Sequence, residues 1–356
     1  MLGMPTRGAS LKWTKSIECE RTMSPATYEE AALIAMRHNS LHIFVPCHNR
    51  LAITSSFVEH LHAQLPRDCD ATIHILDDGS TDGTGQAITQ RWPACVLHRL
   101  NGKAFWGGCL YYIQEYVESS LPAEGDPFVL IANDDIQFQT SALGNALDLM
   151  STGIVDVLVP VLVDVPRTSW DNPSLMREEL AALERRPELE INFGDHYDCS
   201  RNRYSRLTKP GSINIGVTAA LLIRRSRLIK STAVPRGIPH YGSDFWLTYS
   251  LACAGQHLST DASYVVLRRQ ETTRPSSRAQ GRRAYWEQCC NPSSPDYLPA
   301  SIIFQRSFSR SRDKDWSLFV LTLKYAAIRV FTKREQRPAD FAISLRELIL
   351  GKKSRS

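Results

Sequence analysis

The chain has 356 residues, of which 43% are hydrophobic and 22% are charged, a composition that is typical of a globular protein with a sizeable core. Its formal net charge of +5 suits an anionic ligand or an anionic membrane surface, but it is too small to indicate a nucleic-acid-binding protein. The nine cysteines form no C-x-x-C pair, which argues against a structural zinc site and favours reduced thiols in a cytoplasmic protein.

The predicted elements of the first half alternate between strands and helices. In chain order they are strand Leu41–Val45, helix 51–65, strand Ala71–Leu76, helix Thr84–Arg91, strand Cys95–His98, helix Gly108–Ser119 and strand Phe128–Ala132. Ser80 or Thr81 is predicted to cap the second of these helices. The alternation predicts an α/β fold with a Rossmann-like, largely parallel sheet flanked by helices.

The patterns in the second half of the chain predict more of the same domain, followed by a tail. Strands are predicted at Val157–Val163, Ala219–Ile223 and Ser263–Leu267, a helix at Asp244–Ala254, and a long polar excursion at Ser169–Tyr204. The expected organisation is an extension over residues 1–39 with one helical stretch, a domain over 40–270 with halves 40–150 and 151–270, and a tail over 271–356 that begins with a linker at 271–295.

The tail contains an apolar stretch from Trp316 to Phe331 that carries Lys324 and Arg329 and has basic flanks. No run reaches 18 uninterrupted apolar residues, so a membrane-spanning helix is not predicted. Two interpretations remain open for residues 316–331: a helix on a membrane surface, or a helix packed on the domain.

Three polar clusters each follow a predicted strand: Pro46–Arg50, Asp77–Ser80 and Asn133–Asp135. Ligands of open α/β sheets bind beyond the carboxyl ends of the strands. We therefore expect these clusters to line one crevice.

The adjacent carboxylates Asp77 and Asp78 can accept hydrogen bonds from a nucleobase N–H or from ribose hydroxyls. The alternative is a turn that leads into a helix cap. A calcium-binding loop from Asp78 is excluded because its twelfth position, which requires Glu, is Thr89.

The segment Asn133–Asp135 offers amide and carboxylate oxygens, the ligands that Mg²⁺ and Mn²⁺ prefer. A strand-end turn capped by its own side chains is the alternative. Asp244 lies at the start of a predicted helix, where the helix dipole stabilises a carboxylate, and an ordinary helix-start aspartate would look the same.

A fourth cluster, Asn101–Gly108, places paired glycines before a helix, so its backbone can approach a ligand closely. A tight loop without a ligand is the alternative. Neither the G-x-x-x-x-G-K-[ST] spacing of a phosphate loop nor a G-x-G-x-x-G fingerprint after the first strand occurs, which argues against a nucleotide-dependent dehydrogenase.

The order and spacing of Val45–Arg50, Asp77–Thr84, Asn133–Asp135 and Gly242–Asp244 closely resemble those of family 2 glycosyltransferases of the GT-A fold. Within that family the chain looks most like bacterial rhamnosyltransferase-type enzymes that build surface polysaccharides. The resemblance covers residues 41–270 and implies a GT-A type mixed sheet with a helical C-terminal tail.

The resemblance also implies roles for individual residues. Asp135 matches the residue that contacts a divalent cation, Mn²⁺ or Mg²⁺, and Asp244 matches the base that deprotonates the acceptor hydroxyl in an inverting reaction. Asp78 matches the carboxylate that contacts the nucleobase. The full nucleotide-binding set predicted is Pro46, His48, Asn49, Asp77, Asp78, Asn101, Gly107 and Asp134.

Three positions depart from the family's pattern. Ser243 stands where Glu is frequent, and Trp246 replaces an Asp. Arg268 and Arg269 stand where the family often has a metal-binding His, and they are predicted to neutralise the donor diphosphate.

The expected partners are a nucleotide-diphosphate sugar as donor and a saccharide or lipid-linked acceptor. A cytoplasmic location with peripheral contact at the inner face of the membrane, through residues 316–331, is expected from the resemblance and the tail. A non-catalytic carbohydrate- or partner-binding protein that kept the fold remains open.

Overall fold

The structure is a computed structural model that describes residues 40–165, 191–269, 287–294 and 296–331. The predicted extension 1–39 and its helical stretch lie outside the described residues, as do most of the predicted linker and the start of the excursion at Ser169–Tyr204. The predicted domain boundaries stay predictions.

The described elements follow the predicted alternation. The strands are β1 Ser40–Cys47, β2 Asp70–Asp77, β3 Val96–Arg99, β4 Phe128–Ala132, β5 Ile136–Phe138, β6 Val157–Val165, β7 Ile191–Asn192, β8 Asp195–Asp198, β9 Arg203–Arg206, β10 Ser212–Ile213, β11 Ala220–Arg224 and β12 Leu258–Arg269. The helices are α1 Leu51–Gln64, α2 Thr84–Arg91, α3 Phe105–Ser119, α4 Ala142–Ser151, α5 Arg225–Leu228, α6 Ser243–Cys253, α7 Leu298–Phe308 and α8 Lys314–Phe331.

The main sheet has the strand order β10-β12-β6-β11-β4-β1-β2-β3. Strand β1 pairs in parallel with β2 on one side and with β4 on the other, and β11 runs antiparallel to β4 and β6. The prediction of a mixed sheet is confirmed. The chain moves outward from β1 in both directions, so the gap between the ends of β1 and β4 is a topological switch point, where such sheets bind ligands.

Helices cover both faces of the sheet. Successive side chains of β1 alternate between the faces, so Val45 packs in the core with Phe57 of α1, while Phe44 packs in the other core with Leu110 of α3. Leu247 of α6 belongs to the second core. Burial on both faces explains why the strands are nearly continuous apolar runs.

The start of α3 and the cap of α2 differ from prediction. Helix α3 begins at Phe105 instead of Gly108. The predicted cap of α2 by Ser80 or Thr81 is wrong, because the residue before that helix is Gly83 with φ 81°. The backbone N–H of Thr84 donates to the Asp82 carboxylate over 3.0 Å, so a residue closer to the helix performs the capping.

Helix α8 is packed on one side and exposed on the other. Leu318 and Leu321 pack on the small core that contains Leu298 of α7, whereas Trp316 and Leu323 remain largely exposed. Both interpretations of residues 316–331 therefore stay open. Among the described helices, none combines the length and apolar character needed to cross a membrane.

Candidate active site

The ends of β1 and β4 are joined across the switch point by Arg50. Its Nη1 lies 2.7 Å from Asp134 Oδ1 and 3.3 Å from Asp135 Oδ2. The second oxygen of Asp134 accepts a hydrogen bond of 2.8 Å from the Thr54 hydroxyl in α1. Burial raises the pKa of Asp134, although the charge of Arg50 opposes this shift. Asp134, which is only 3% exposed, is thus held by protein contacts on both oxygens.

Asp135 and Asn133 leave unsatisfied oxygens beside this pair. Oδ1 of each residue is buried without a hydrogen-bond partner among the described residues. Buried acceptors without a donor are uncommon, and a bound water or ion is one explanation for them. The backbone N–H of Arg269 donates to the Asp135 carbonyl over 3.2 Å, which places the end of β12 at the same edge.

The two orphaned oxygens fit a divalent cation. Oxygen ligands suit Mg²⁺ and Mn²⁺, which commonly take one or two protein carboxylates and complete their shell with substrate phosphates and water. Within the described ranges no group of three or more His, Cys, Asp or Glu could hold a metal ion. A cation beside Asp135 would therefore have to take the rest of its coordination shell from substrate or water.

The loops after β1 and β2 are tied together by hydrogen bonds. His48 Nδ1 lies 2.6 Å from the Asp78 carbonyl oxygen, and the backbone N–H of Asn49 donates to the Ser80 hydroxyl over 2.9 Å. Asp77 Oδ1 accepts the backbone N–H of Ser80 over 2.8 Å. His48 and Asn49 are exposed, so this rim faces solvent and can meet a ligand.

The loops after β2 and β3 are also in contact. Asp78 accepts the backbone N–H groups of Ala104 and Phe105 over 3.1 and 2.9 Å, one on each carboxylate oxygen. Asn101 Oδ1 accepts the backbone N–H of Lys103 over 2.9 Å. The carboxylate of Asp78 thus anchors the start of α3, as the turn-and-cap alternative expects, while two lone pairs remain for a ligand.

Gly107 brings α3 against the segment that precedes α6. Its backbone N–H donates to the Pro239 carbonyl over 2.7 Å, and a Cβ atom at this position would lie 2.0 Å from the Ile238 carbonyl oxygen. The glycine is required by this close approach to protein backbone. The cluster Asn101–Gly108 is thereby joined to the segment that precedes Asp244.

Asp244 lies in the first turn of α6, half-buried, with one oxygen held by two residues. Trp106 Nε1 donates to Oδ1 over 2.8 Å, and the backbone N–H of Thr218 donates to the same oxygen over 3.1 Å. The Thr218 hydroxyl donates to it as well. Sequence reasoning missed both donors. Trp106 stood inside the cluster Asn101–Gly108, whereas nothing in the sequence marks Thr218.

Thr218 also connects Asp244 to the cation-fitting edge. The next residue, Ala219, accepts the backbone N–H of Asn133 over 2.9 Å. Asp244 is therefore linked through Thr218 and Ala219 to the segment that carries Asp135, at the end of β4 and the start of β11.

Arg268 lies near the end of β12, whose last residue reaches the same edge of the sheet. Its Nε and Nη2 donate to the two oxygens of Asp164 over 2.7 and 2.9 Å. Burial alone would lower the pKa of Arg268, but Asp164 raises it, together with the charges of Asp135 and Asp244. The charges of Asp135 and Asp244 therefore both stabilise the charged form of Arg268.

The structure thus brings most predicted site residues to one edge of the sheet.

Pro46 is half-buried inside β1, in register with Leu76, one residue before Cys47 ends that strand. Burial raises the pKa of the Cys47 thiol, so it stays protonated and is a poor nucleophile. The functional roles of the site residues remain predictions.

Comparisons with known proteins agree with this fold. Residues 42–209 match the model of the family described as glycosyl transferase family 2. GalNAc-T7, solved with UDP, GalNAc and Mn²⁺, is similar with a TM-score of 0.51 and 12% identity over 76% of this chain and 48% of that chain. The chain thus spans about half the length of that protein. No curated protein sequence matches significantly.

Two further structures are similar at lower scores. TarS 1-349 of S. aureus has a TM-score of 0.48 and 12% identity, over 86% of this chain and 76% of that chain. The mannosyltransferase PcManGT of Pyrobaculum calidifontis, in complex with GDP-Man and Mn²⁺, has a TM-score of 0.44 and 16% identity, over 87% of this chain and 84% of that chain.

Proposed function

We propose that the chain moves a sugar from a nucleotide-diphosphate sugar to a hydroxyl group of a saccharide or lipid-linked acceptor, because residues 42–209 match the model of glycosyl transferase family 2. The GalNAc-T7 structure, which contains UDP and Mn²⁺, supports a nucleotide-sugar donor and a divalent cation. The resemblance to rhamnosyltransferase-type enzymes favours a role in surface polysaccharide synthesis.

One observation carries the proposal: Asp135 and Asp244 belong to segments that meet at the same edge of the sheet. Asp244 is linked through Thr218 and Ala219 to Asn133. The charges of Asp135 and Asp244 both raise the pKa of Arg268. A donor whose diphosphate lies at the Asp135 end would present its anomeric carbon toward Asp244.

Asn133 and Asp135 would hold the cation, with the donor phosphates as its remaining ligands. When bound, the cation supplies charge neutralisation for the departing diphosphate. Arg268 keeps guanidinium N–H groups beyond the two that bind Asp164, and these would donate to phosphate oxygens. The nucleoside would lie against the exposed rim formed by His48 and Asn49.

The transfer is a single displacement. Asp244 takes the proton of the acceptor hydroxyl, whose oxygen bonds to the anomeric carbon. The bond from that carbon to the diphosphate oxygen breaks, and its electron pair leaves with the diphosphate. With Asp244 acting as base and no covalent intermediate, the configuration at the anomeric carbon inverts.

A panel of UDP-, dTDP- and GDP-sugars, with and without Mn²⁺ or Mg²⁺, tests this function by nucleotide release and by the anomeric configuration of the product. Asp244→Asn keeps the shape of the side chain and should abolish transfer while leaving donor binding nearly intact. Asp315→Asn is the matched control, because Asp315 is also a first-turn aspartate but belongs to α8.

Transfer by Asp315→Asn at the wild-type rate, with inversion, supports the proposal. Retention of more than a few per cent of turnover by Asp244→Asn contradicts the assignment of the base. Donor binding without turnover on any acceptor would instead indicate a non-catalytic relative.

A further inference from the structure

The carboxylate of Asp244 is hydrogen-bonded asymmetrically. Oδ1 accepts the Trp106 indole N–H over 2.8 Å, the Thr218 backbone N–H over 3.1 Å and the Thr218 hydroxyl. Oδ2 accepts no hydrogen bond from the part of the chain that the structure describes. Because an sp² oxygen has two lone pairs, three donors saturate Oδ1. Oδ2 is therefore the oxygen with lone pairs available for a proton.

The two donor residues come from different elements. Trp106 belongs to the first turn of α3, and Thr218 precedes β11 and is fully buried. The Trp106 indole N–H also reaches the Thr218 hydroxyl, over 3.3 Å. Asp244 is thus held from two sides, and its rotation about the Cβ–Cγ bond would break several contacts at once.

The start of α3 is itself firmly placed. Phe105 has φ 51°, a left-handed conformation that a phenylalanine rarely adopts. Its N–H and that of Ala104 are bound by Asp78, and Gly107 N–H is bound by the Pro239 carbonyl. Strained backbone of this kind persists where surrounding contacts over-determine it and is common at functional sites.

We propose that Trp106 and Thr218 are positioning residues, which bind Asp244 Oδ1 and orient Oδ2 toward the acceptor hydroxyl. This inference rests on the proposed function, in which Asp244 is the base. Trp106 and Thr218 touch neither proton nor sugar in this scheme. They act by holding the base in the productive geometry, and small misplacements of such a group reduce rates strongly.

The test is a comparison of steady-state constants for Trp106→Phe, Thr218→Val and Thr218→Ser. Trp106→Phe removes the indole N–H, and Thr218→Val removes the hydroxyl while keeping the backbone N–H. Each should lower kcat about ten-fold and leave the donor KM nearly unchanged. Thr218→Ser restores the hydroxyl and should restore kcat, which a purely structural role of the methyl group would not do.

Trp246→Phe is the matched control, because Trp246 lies on α6 beside Asp244 but donates to the carbonyls of Thr232 and Ala233. It should retain the wild-type kcat. If Trp106→Phe does not fold, Thr218→Val and Thr218→Ser decide the question.

Wild-type kcat in Trp106→Phe and Thr218→Val, or a rise in donor KM at constant kcat, overturns the positioning role. Turnover by Asp244→Asn is a different failure, because it removes the base and with it the proposed function. Loss of turnover in Asp244→Asn together with full activity of the other variants would remove the positioning role alone.

Discussion

Arg50 and Asp134 form an ion pair across the switch point of the sheet, with Nη1 2.7 Å from Oδ1. The pair connects the residue after β1 to the residues after β4, and its second contact, to Asp135, reaches the cation-fitting edge. A charge pair therefore links the segments that follow β1 and β4 at this edge of the sheet. The contribution of the contacts around Asp134 to the stability of the protein can be measured separately from catalysis.

Thr54→Val should destabilise the protein, because it removes the hydroxyl that lies 2.8 Å from Asp134 Oδ2 while keeping the shape of the side chain. A buried carboxylate that loses a donor costs about 1–3 kcal/mol. Urea unfolding measures this loss. Thr89→Val is the control, since the Thr89 hydroxyl donates to carbonyls of its own helix, and an equal loss there would contradict the role of Thr54.

Asp135→Asn should abolish the effect of Mn²⁺ on the protein. The wild-type melting temperature should rise with Mn²⁺ and UDP together, because ligands that bind the native state stabilise it. The Asn variant should melt at the same temperature with and without both ligands. Asp261→Asn is the control and should respond as the wild type does, because Asp261 lies on β12 about 20 Å before Arg268. A full Mn²⁺ response in Asp135→Asn would exclude this residue as a ligand.

Arg268→Gln should raise the donor KM by about ten-fold, because charge-assisted hydrogen bonds to phosphate are lost. Steady-state kinetics at saturating acceptor measure the change. Arg227→Gln removes a comparable ion pair, in which Nε lies 3.1 Å from Asp156, and should leave the donor KM unchanged. Equal KM values for Arg268→Gln and the wild type would contradict a diphosphate contact.

Three histidines form a hydrogen-bonded row across β1, β2 and β3. His42 Nδ1 lies 3.0 Å from His74 Nε2, and His74 Nδ1 lies 2.9 Å from His98 Nε2, which itself is next to Tyr112. Burial, with the neighbouring His98 and His42, lowers the pKa of His74 to about 3. The native state therefore keeps His74 neutral at pH values where the unfolded chain protonates it.

The stability due to neutral His74 is present above the unfolded pKa of about 6.5 and is lost as pH falls from there toward 3, by at most about 1.4 kcal/mol per pH unit. Urea midpoints at pH 7 and pH 5 measure this loss. His74→Gln should flatten the pH dependence. His196→Gln, at an exposed histidine, should retain it, and an unchanged slope in His74→Gln would contradict the assignment.

Gly107→Ala should destabilise the contact between α3 and the segment before α6. The added Cβ atom would lie 2.0 Å from the Ile238 carbonyl oxygen, so the backbone has to move, at roughly 1–3 kcal/mol. The melting temperature and kcat should both fall, because Trp106 moves with α3. Gly211→Ala, where a Cβ atom meets nothing within 4 Å, is the control. Normal activity in Gly107→Ala would show that the close approach is dispensable.

Element type and order were predictable because they depend on local patterns. Strand Phe128–Ala132 and helix Thr84–Arg91 have the predicted bounds, since an apolar run and a helical period are properties of consecutive residues. The start of α3 was misplaced by three residues because its first turn is held by Asp78, which is 27 residues from Phe105.

The position of the candidate site in the fold could be predicted from the sequence. The contacts of its side chains could be predicted less well. Polar residues after buried strands have to gather at one edge of a parallel sheet, so the clusters alone predicted the crevice. The partner of each side chain could not be read from the pattern. Adjacent Asp134 and Asp135 look alike in sequence, yet the first is held on both oxygens and the second leaves Oδ1 unsatisfied.

The amino-acid sequence by itself determined the α/β fold, the edge of the sheet at which the polar clusters gather and the candidate carboxylates, because each follows from residues close together in the chain. Only the tertiary structure decided which oxygen of Asp244 is occupied and by what. Its donor Trp106 is 138 positions away, and a contact over that separation exists only once the sheet has brought the two helix starts together.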